Sequence, residues 1–197
     1  MQEFSIESAV VIDTDTHTLT GRTGRYVKKA ADLGGVYRDD AAYAAWRDAD
    51  PEAEAYRVDE FRPSDAEGDL IYGLSVLHPG RIGREYPVTR GHLHAKSDRS
   101  ETYQCLAGHG LMLMETVDGN TVVVELRPGD IAYVPPHHIH RSVNVGDSDF
   151  VTLFTYPADS GQDYDIISRS AGMRHIVVET ADGGWTLEEN PDYVVRH

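Results

Sequence analysis

The sequence predicts an all-β sandwich or barrel, and three observations support that expectation. Nine short segments with strand character follow one another between Glu54 and Pro157: EAYRVDEF, DLIYGLSVLH, REYPVTRGHLHA, ETYQCLAG, HGLMLMETV, NTVVVELR, DIAYVPP, HIHRSVNV and DFVTLFTYP. They are rich in Val, Ile, Thr, Tyr and Phe, the residues that suit a pleated, half-buried surface. Turn signals separate them, VDGN reading as a hairpin and RPGD and VGDSD as tight turns. Helix-forming sequence is scarce, and regularly spaced strands with little helix fit a sandwich or barrel.

Taken in chain order, residues 1–55 read as an N-terminal extension with strands and one short helix. The helix is DDAAYAAWRDAD from Asp39, where an aspartate cap leads into Ala-rich sequence with Tyr43 and Trp46 three apart, and Pro51 stops it. The barrel core is expected over 56–160, and C-terminal strands over 161–197, with IVVET and WTLEE forming an outer pair. No linker, repeat or low-complexity run divides the chain, so a single domain over 1–197 is expected.

At 197 residues, with 40% hydrophobic and 26% charged content, the chain is long enough to bury a sizeable core. No apolar run approaches the roughly 20 residues of a spanning helix, and MQEFSIESAV lacks a basic, apolar leader, so no membrane role and a cytoplasmic location are expected. The lone Cys105 has no disulfide partner and reads as a small buried hydrophobe. A net charge of −15 argues against nucleic acid as a partner. Residues 81–99 are nevertheless locally basic, with Arg81, Arg84, Arg90, Lys96 and Arg99 against Glu85 and Asp98. Each of these is more simply a solvated loop charge, but together they would steer an anion toward this stretch.

The densest chemistry lies in the same stretch, TRGHLHAKSDRSETY. Alternation along a strand puts His92 and His94 on one face, and after the turn AKSDRS, Glu101 can return a carboxylate beside them. PPHHIHRSVN supplies candidates for a third imidazole, His138 and His140 sharing one strand face and His137 the other. Three imidazoles and a carboxylate suit one divalent transition ion per chain, Fe, Ni, Mn or Zn, with positions left for water or substrate.

These spacings match the two signature motifs of the cupin superfamily, a small jelly-roll β-barrel. The first reads GHLHAKSDRSETYQCLAGHG; the second, PGDIAYVPPHHIHRSVN, contains Gly129, Pro135, His140 and Asn144. With TYPADSGQDYDII and the later IVVET and ENP, the chain resembles more narrowly the cupin-type phosphoglucose isomerases first known from archaea. The resemblance implies a homodimer interconverting glucose 6-phosphate and fructose 6-phosphate. It implies a metal held by His92, His94, Glu101 and His140, with Glu101 also moving the proton and Tyr156 beside it in the catalytic group. It implies sugar-phosphate contacts from Tyr56, Ser75, Thr89, Gly91, Tyr103, Gln162 and Tyr164.

Two of these positions depart from the family pattern. Ser75 replaces the usual threonine and keeps the hydroxyl. Gln162 replaces the usual histidine, and it can bind a hydroxyl but cannot exchange a proton near neutral pH. His109 reads as an outward turn residue, and His17, His78, His175 and His197 as surface or structural groups. Because a barrel does not name a reaction, two rival readings stand beside the isomerase: a cupin dioxygenase using the same ligands, and a non-catalytic sugar-phosphate-binding cupin.

Overall fold

The structure, a computed structural model, describes residues 9–196. In chain order its strands are β1 (Val11–Asp13), β2 (Thr18–Thr20), β3 (Gly24–Lys29), β4 (Glu54–Phe61), β5 (Leu70–Leu77), β6 (Glu101–Ala107), β7 (Gly110–Thr116), β8 (Thr121–Leu126), β9 (Ile131–Val134), β10 (His138–Asn144), β11 (Phe150–Pro157), β12 (His175–Glu179) and β13 (Trp185–Glu189). Helix α1 spans Asp40–Ala49 and α2 spans Asp165–Arg169.

Two antiparallel sheets form the body, one of six strands in the order β3-β4-β5-β11-β6-β9 and one of three in the order β10-β7-β8. Chain neighbours β5 and β6 do not pair; β11 lies between them, and β10 returns to β7. Such crossing between facing sheets makes the jelly-roll barrel. Alternation is plain on β9, where Ala132 and Val134 are buried while Ile131 and Tyr133 face outward. Side chains from both sheets, among them Cys105, Leu111, Met112, Val134 and Phe154, join one apolar cluster. Cys105 is fully buried, and burial pushes its thiol up to about 11, which leaves it unreactive as the sequence suggests.

Strand β7, GLMLMET, is buried along almost its whole length. One side faces the barrel; the other is covered by the C-terminal hairpin β12–β13, the expected outer pair, since Leu113, Arg141 and Val177 line one small cavity. The helix forms where expected. The Asp39 carboxylate accepts from the Ala42 amide at 2.8 Å, and Tyr43 and Trp46 pack with Tyr37 at ring distances of 6.1 Å.

One expected strand does not form. REYPVTRGHLHA is extended but makes only isolated bridges, because its amides find acceptors in three different places: Tyr86 bonds Val177, Thr89 and His92 bond β10, and Leu93 bonds Asp163. Pro87 has no amide to donate, and Gly91 takes a φ of 80° that breaks the extended run.

Two buried carboxylates tie the N-terminal part to this body. Asp59 of β4 accepts the Leu19 amide at 3.1 Å and a two-pronged contact from Arg25. Glu85 accepts the Arg38 and Asp39 amides at 2.7 and 2.9 Å, just ahead of α1. Burial raises the Glu85 carboxyl above the ordinary glutamate value, against the pull of those two amides. A raised folded-state value means that this group's contribution is fully present below the ordinary glutamate value and is lost as pH rises through the raised one. Glu85→Gln, which keeps the acceptor oxygen and removes the charge, should melt at or above the wild-type temperature at pH 7. Glu85→Ala should lose about 1–3 kcal/mol by leaving two amides unpaired. Thermal melts from pH 4 to 8 should show the Gln variant's advantage growing with pH.

Candidate active site and metal centre

The barrel brings His92, His94, Glu101 and His140 together, all four buried and their ligand atoms within 4.8 Å of one another. Glu101 opens β6 and His140 lies on β10, so regular strands aim both inward. His92 is pinned to β10 by reciprocal backbone bonds with His140 at 3.0 and 3.1 Å. His94 is placed by its ring, whose Nδ1 meets the Arg99 carbonyl at 2.9 Å. Both histidines thus reach one point although their segment is not a regular strand.

The tautomers follow from the partners. A carbonyl can only accept, so Nδ1 of His94 and Nδ1 of His140, 3.2 Å from the His138 carbonyl, carry the protons. Their Nε2 atoms then present lone pairs to Glu101 Oε2 at 3.1 and 2.9 Å. Lone pair facing lone pair repels unless a positive charge sits between them. Protons are one source: burial alone would push the Glu101 carboxyl up, but hydrogen bonds from His140 and His94 outweigh it and bring it to about 2. His94 is raised because its contact with Glu101 overcomes burial. His92 answers differently: burial holds its imidazole well below the usual histidine range, and its Nε2 has no partner among the described residues. A divalent ion would satisfy all four groups at once, so the donor set fits a first-row transition metal.

Beside this cluster is a cavity lined by His92 and Glu101 but not by His94 and His140, which lie behind them. Tyr56, Ser75, Thr89, Gly91, Tyr103, Tyr156, Gln162 and Tyr164, the residues singled out in the sequence, line the same cavity. Burial raises the phenols of Tyr56, to about 12, and of Tyr156, so both are neutral hydroxyl donors near pH 7. The Tyr56 hydroxyl accepts from the Arg90 amide at 3.4 Å, Arg62 donates to the Tyr156 hydroxyl at 3.3 Å, and the Tyr164 hydroxyl donates to Gln162 Oε1 at 2.6 Å.

Sequence reasoning missed several wall residues. Ser142, two beyond His140 on β10, shares its strand face, and alternation would have found it. Tyr26 and Glu60 also line the cavity, brought there by the β3–β4 pairing; nothing local to either marks it. Of the basic stretch, Arg90 reaches the wall, whereas Arg81, Arg84, Lys96 and Arg99 form ion pairs elsewhere. His137 bonds Ser97 at 3.0 Å and His138 the Pro136 carbonyl at 2.9 Å, and neither belongs to the four-residue group. His78 bridges Glu54 and Asp149, His109 pairs with Glu125 and His175 with Thr121, while His197 lies outside the described residues.

A jelly-roll barrel holding three histidines and a glutamate around one interior point defines a cupin with a metal-type centre. Residues 27–196 match the family described as glucose-6-phosphate isomerase (GPI), and the chain belongs to that family. The glucose-6-phosphate isomerase of Sinorhizobium medicae is 45% identical over 96% of this chain and 88% of its own. That of Thermococcus onnurineus is 38% identical over 97% and 98%, and that of Pyrococcus furiosus 37% over 92% and 94%. An oxalate oxidase structure is also similar, at 15% identity and a TM-score of 0.47 over 56% of this chain and 55% of its own, too partial a likeness to favour an oxidase.

Metal binding should be visible without any assay of turnover. Titrating metal-free protein with zinc, manganese or nickel should raise the melting temperature, by the equivalent of about 2.7 kcal/mol at a hundredfold excess over Kd. Affinity should fall as pH drops through the histidine range, because protons compete for the same lone pairs. His140→Ala should lose the effect. An unchanged melt with every ion, followed by differential scanning calorimetry, would count against the metal centre.

Proposed function

We propose that this chain interconverts glucose 6-phosphate and fructose 6-phosphate in this cavity, with Glu101 moving the proton. The observation behind this is that one buried carboxylate, Glu101, both touches the imidazole cluster and lines a cavity otherwise rich in neutral hydroxyls. Family membership and relatives of that activity over nearly the whole chain support it.

The chemistry asks for little machinery. In the open-chain aldose the C2 proton is removed as the C1 carbonyl becomes an enediolate, and returning a proton to C1 leaves the carbonyl at C2. A carboxylate held beside C1 and C2 serves as base and then as acid. Tyr156 and Tyr103, close to Glu101 on the wall, would orient the sugar hydroxyls. Ser75, Thr89, Tyr56, Tyr164 and the Gly91 amide would hold the phosphate chiefly with neutral donors, with Arg90 on the same wall. His92, His94, Glu101 and His140 would hold the divalent ion, which would supply Lewis acidity for the developing negative charge when bound. The acting unit in this reading is a cytoplasmic homodimer of a single-domain chain.

A coupled assay for fructose 6-phosphate conversion tests the reading directly. Metal-loaded wild type should turn over and chelated protein should not, with recovery on adding metal back. Glu101→Gln should lose about a hundred- to ten-thousand-fold in kcat. Absence of turnover with any divalent ion would remove the substrate assignment, and full activity after chelation would remove the metal's role.

Gln162 generates a separate expectation. Its side-chain oxygen already accepts from Tyr164, so it can orient that phenol but cannot donate or take up a proton. If the family's usual histidine assists ring opening, Gln162→His should raise kcat on the mostly cyclic glucose 6-phosphate with little change in KM. Rates measured from pH 6 to 9 that match the wild type would show that ring opening is supplied elsewhere.

A further inference from the structure

Two arginines beside the cavity stand apart from the others. Every arginine except Arg90 and Arg141 forms an ion pair with a carboxylate among the described residues. Arg90 lines the cavity wall, its guanidinium 5.9 Å from the centre of the Tyr164 ring. Arg141 follows His140 on β10 and therefore faces away from the cavity, into the layer beneath the C-terminal hairpin. It is 5% exposed, and its Nε has no hydrogen-bond partner among the described residues. The Glu115 and Glu85 carboxylates act on it electrostatically without forming an ion pair, so burial leaves its charge only partly compensated.

The Arg141 side chain makes one hydrogen bond among the described residues. Its Nη2 donates to the Arg90 carbonyl at 2.7 Å. A trans peptide is planar, with its C=O and N–H pointing in opposite directions. With the Arg90 carbonyl turned back toward Arg141, the Gly91 N–H points the other way, toward the cavity that Gly91 lines. The neighbouring amides are occupied: Thr89 bonds the Ser142 carbonyl at 3.0 Å, His92 the His140 carbonyl at 3.1 Å, and Arg90 the Tyr56 hydroxyl at 3.4 Å. Gly91 N–H takes no acceptor among the described residues. The arrangement also requires glycine, since φ is 80° and a Cβ would stand 3.1 Å from Arg141 Nε and 3.2 Å from its Cβ.

We propose that Arg141 is the positioning residue of the phosphate seat: from behind the wall it holds the Arg90–Gly91 peptide with its N–H turned into the cavity, and it supplies positive charge to the bound phosphate without touching it. The inference rests on the sugar-phosphate reading for the identity of the ligand. A guanidinium bonded to the carbonyl also polarises the peptide and strengthens its N–H as a donor. The seat thereby gains positive charge from behind the wall, in addition to Arg90 on a wall that also carries Glu60 and Glu101.

Arg141→Lys and Arg141→Met in the zinc-loaded protein test this. KM for fructose 6-phosphate and the inhibition constant of inorganic phosphate should rise together, by ~10-fold or more in the Met variant and less in the Lys variant, with kcat and bound zinc nearly unchanged. Unchanged KM and phosphate inhibition in folded variants would overturn the proposal. So would a loss of kcat and zinc in parallel, which is what a purely structural role of Arg141 predicts. A second measurement needs no variant: in wild-type protein labelled with 15N-glycine, the Gly91 amide should move downfield on saturation with inorganic phosphate. An unmoved Gly91 signal would overturn the proposal even if both variants failed to fold. If the wild type turns over no sugar phosphate yet Gly91 responds and the Met variant weakens phosphate, the isomerase reading falls and the role of Arg141 stands.

Discussion

The interior of this barrel is organised around an electrostatic demand: nitrogen and oxygen lone pairs brought to within 2.9–3.1 Å of each other need a cation between them. The backbone makes the demand unavoidable, because carbonyls of Arg99 and His138 hold the Nδ1 protons of His94 and His140 on the far sides of the rings. His92 adds a third imidazole whose Nε2 has no partner among the described residues. Four buried polar groups in an apolar barrel would be a large penalty if left to themselves. Arranged around one point they become a preorganised ligand set, and the barrel walls keep them there.

The segment from Glu85 to Ala95 shows what this arrangement requires of the backbone. A regular strand would have satisfied its amides in one ladder. Instead the segment alternates between β10, the C-terminal hairpin and the turn at 161–163, so that it can pass the barrel mouth with Thr89 and Gly91 on the cavity side and His92 and His94 at the cluster. Its irregularity is held from outside by Tyr37, whose hydroxyl meets the Val88 amide at 3.4 Å, and by Arg141. The histidine cluster and the cavity wall at Thr89 and Gly91 therefore share one strip of chain, and displacing either end would disturb the other.

Packing on the outer face supports that strip. The C-terminal hairpin covers β7 and β10, and beyond it Arg196 returns to pair with Glu115, which is fully buried. A buried ion pair is weak evidence of net stability. Here it is reinforced, since Glu115 also accepts the Arg174 amide at 2.7 Å and Arg196 donates to the Gly172 carbonyl at 2.9 Å. The result fixes the path of the last residues across the sheet that carries His140 and Arg141.

Much of this was legible in the sequence because its signals are local. Alternation and turn residues gave away most of the strands, Asp39 and Pro51 bounded α1, and the spacing of His92, His94 and Glu101 announced a ligand set. The choice of His140 over His137 and His138 came from motif resemblance, and burial and ring direction agree with it. What the sequence could not supply depends on long-range pairing. REYPVTRGHLHA has strand composition, yet the positions of its hydrogen-bond acceptors, far away in the chain, decide that it forms no strand. Tyr26 and Glu60 reach the cavity only because β3 pairs with β4 and that sheet curves around the site. Arg141 reads as one more charge beside a histidine; only the closed barrel buries it behind Gly91, with no carboxylate in ion-pair contact. Local patterns depend on neighbours a few residues apart, whereas burial, register and the sharing of amides are properties of the assembled sheets.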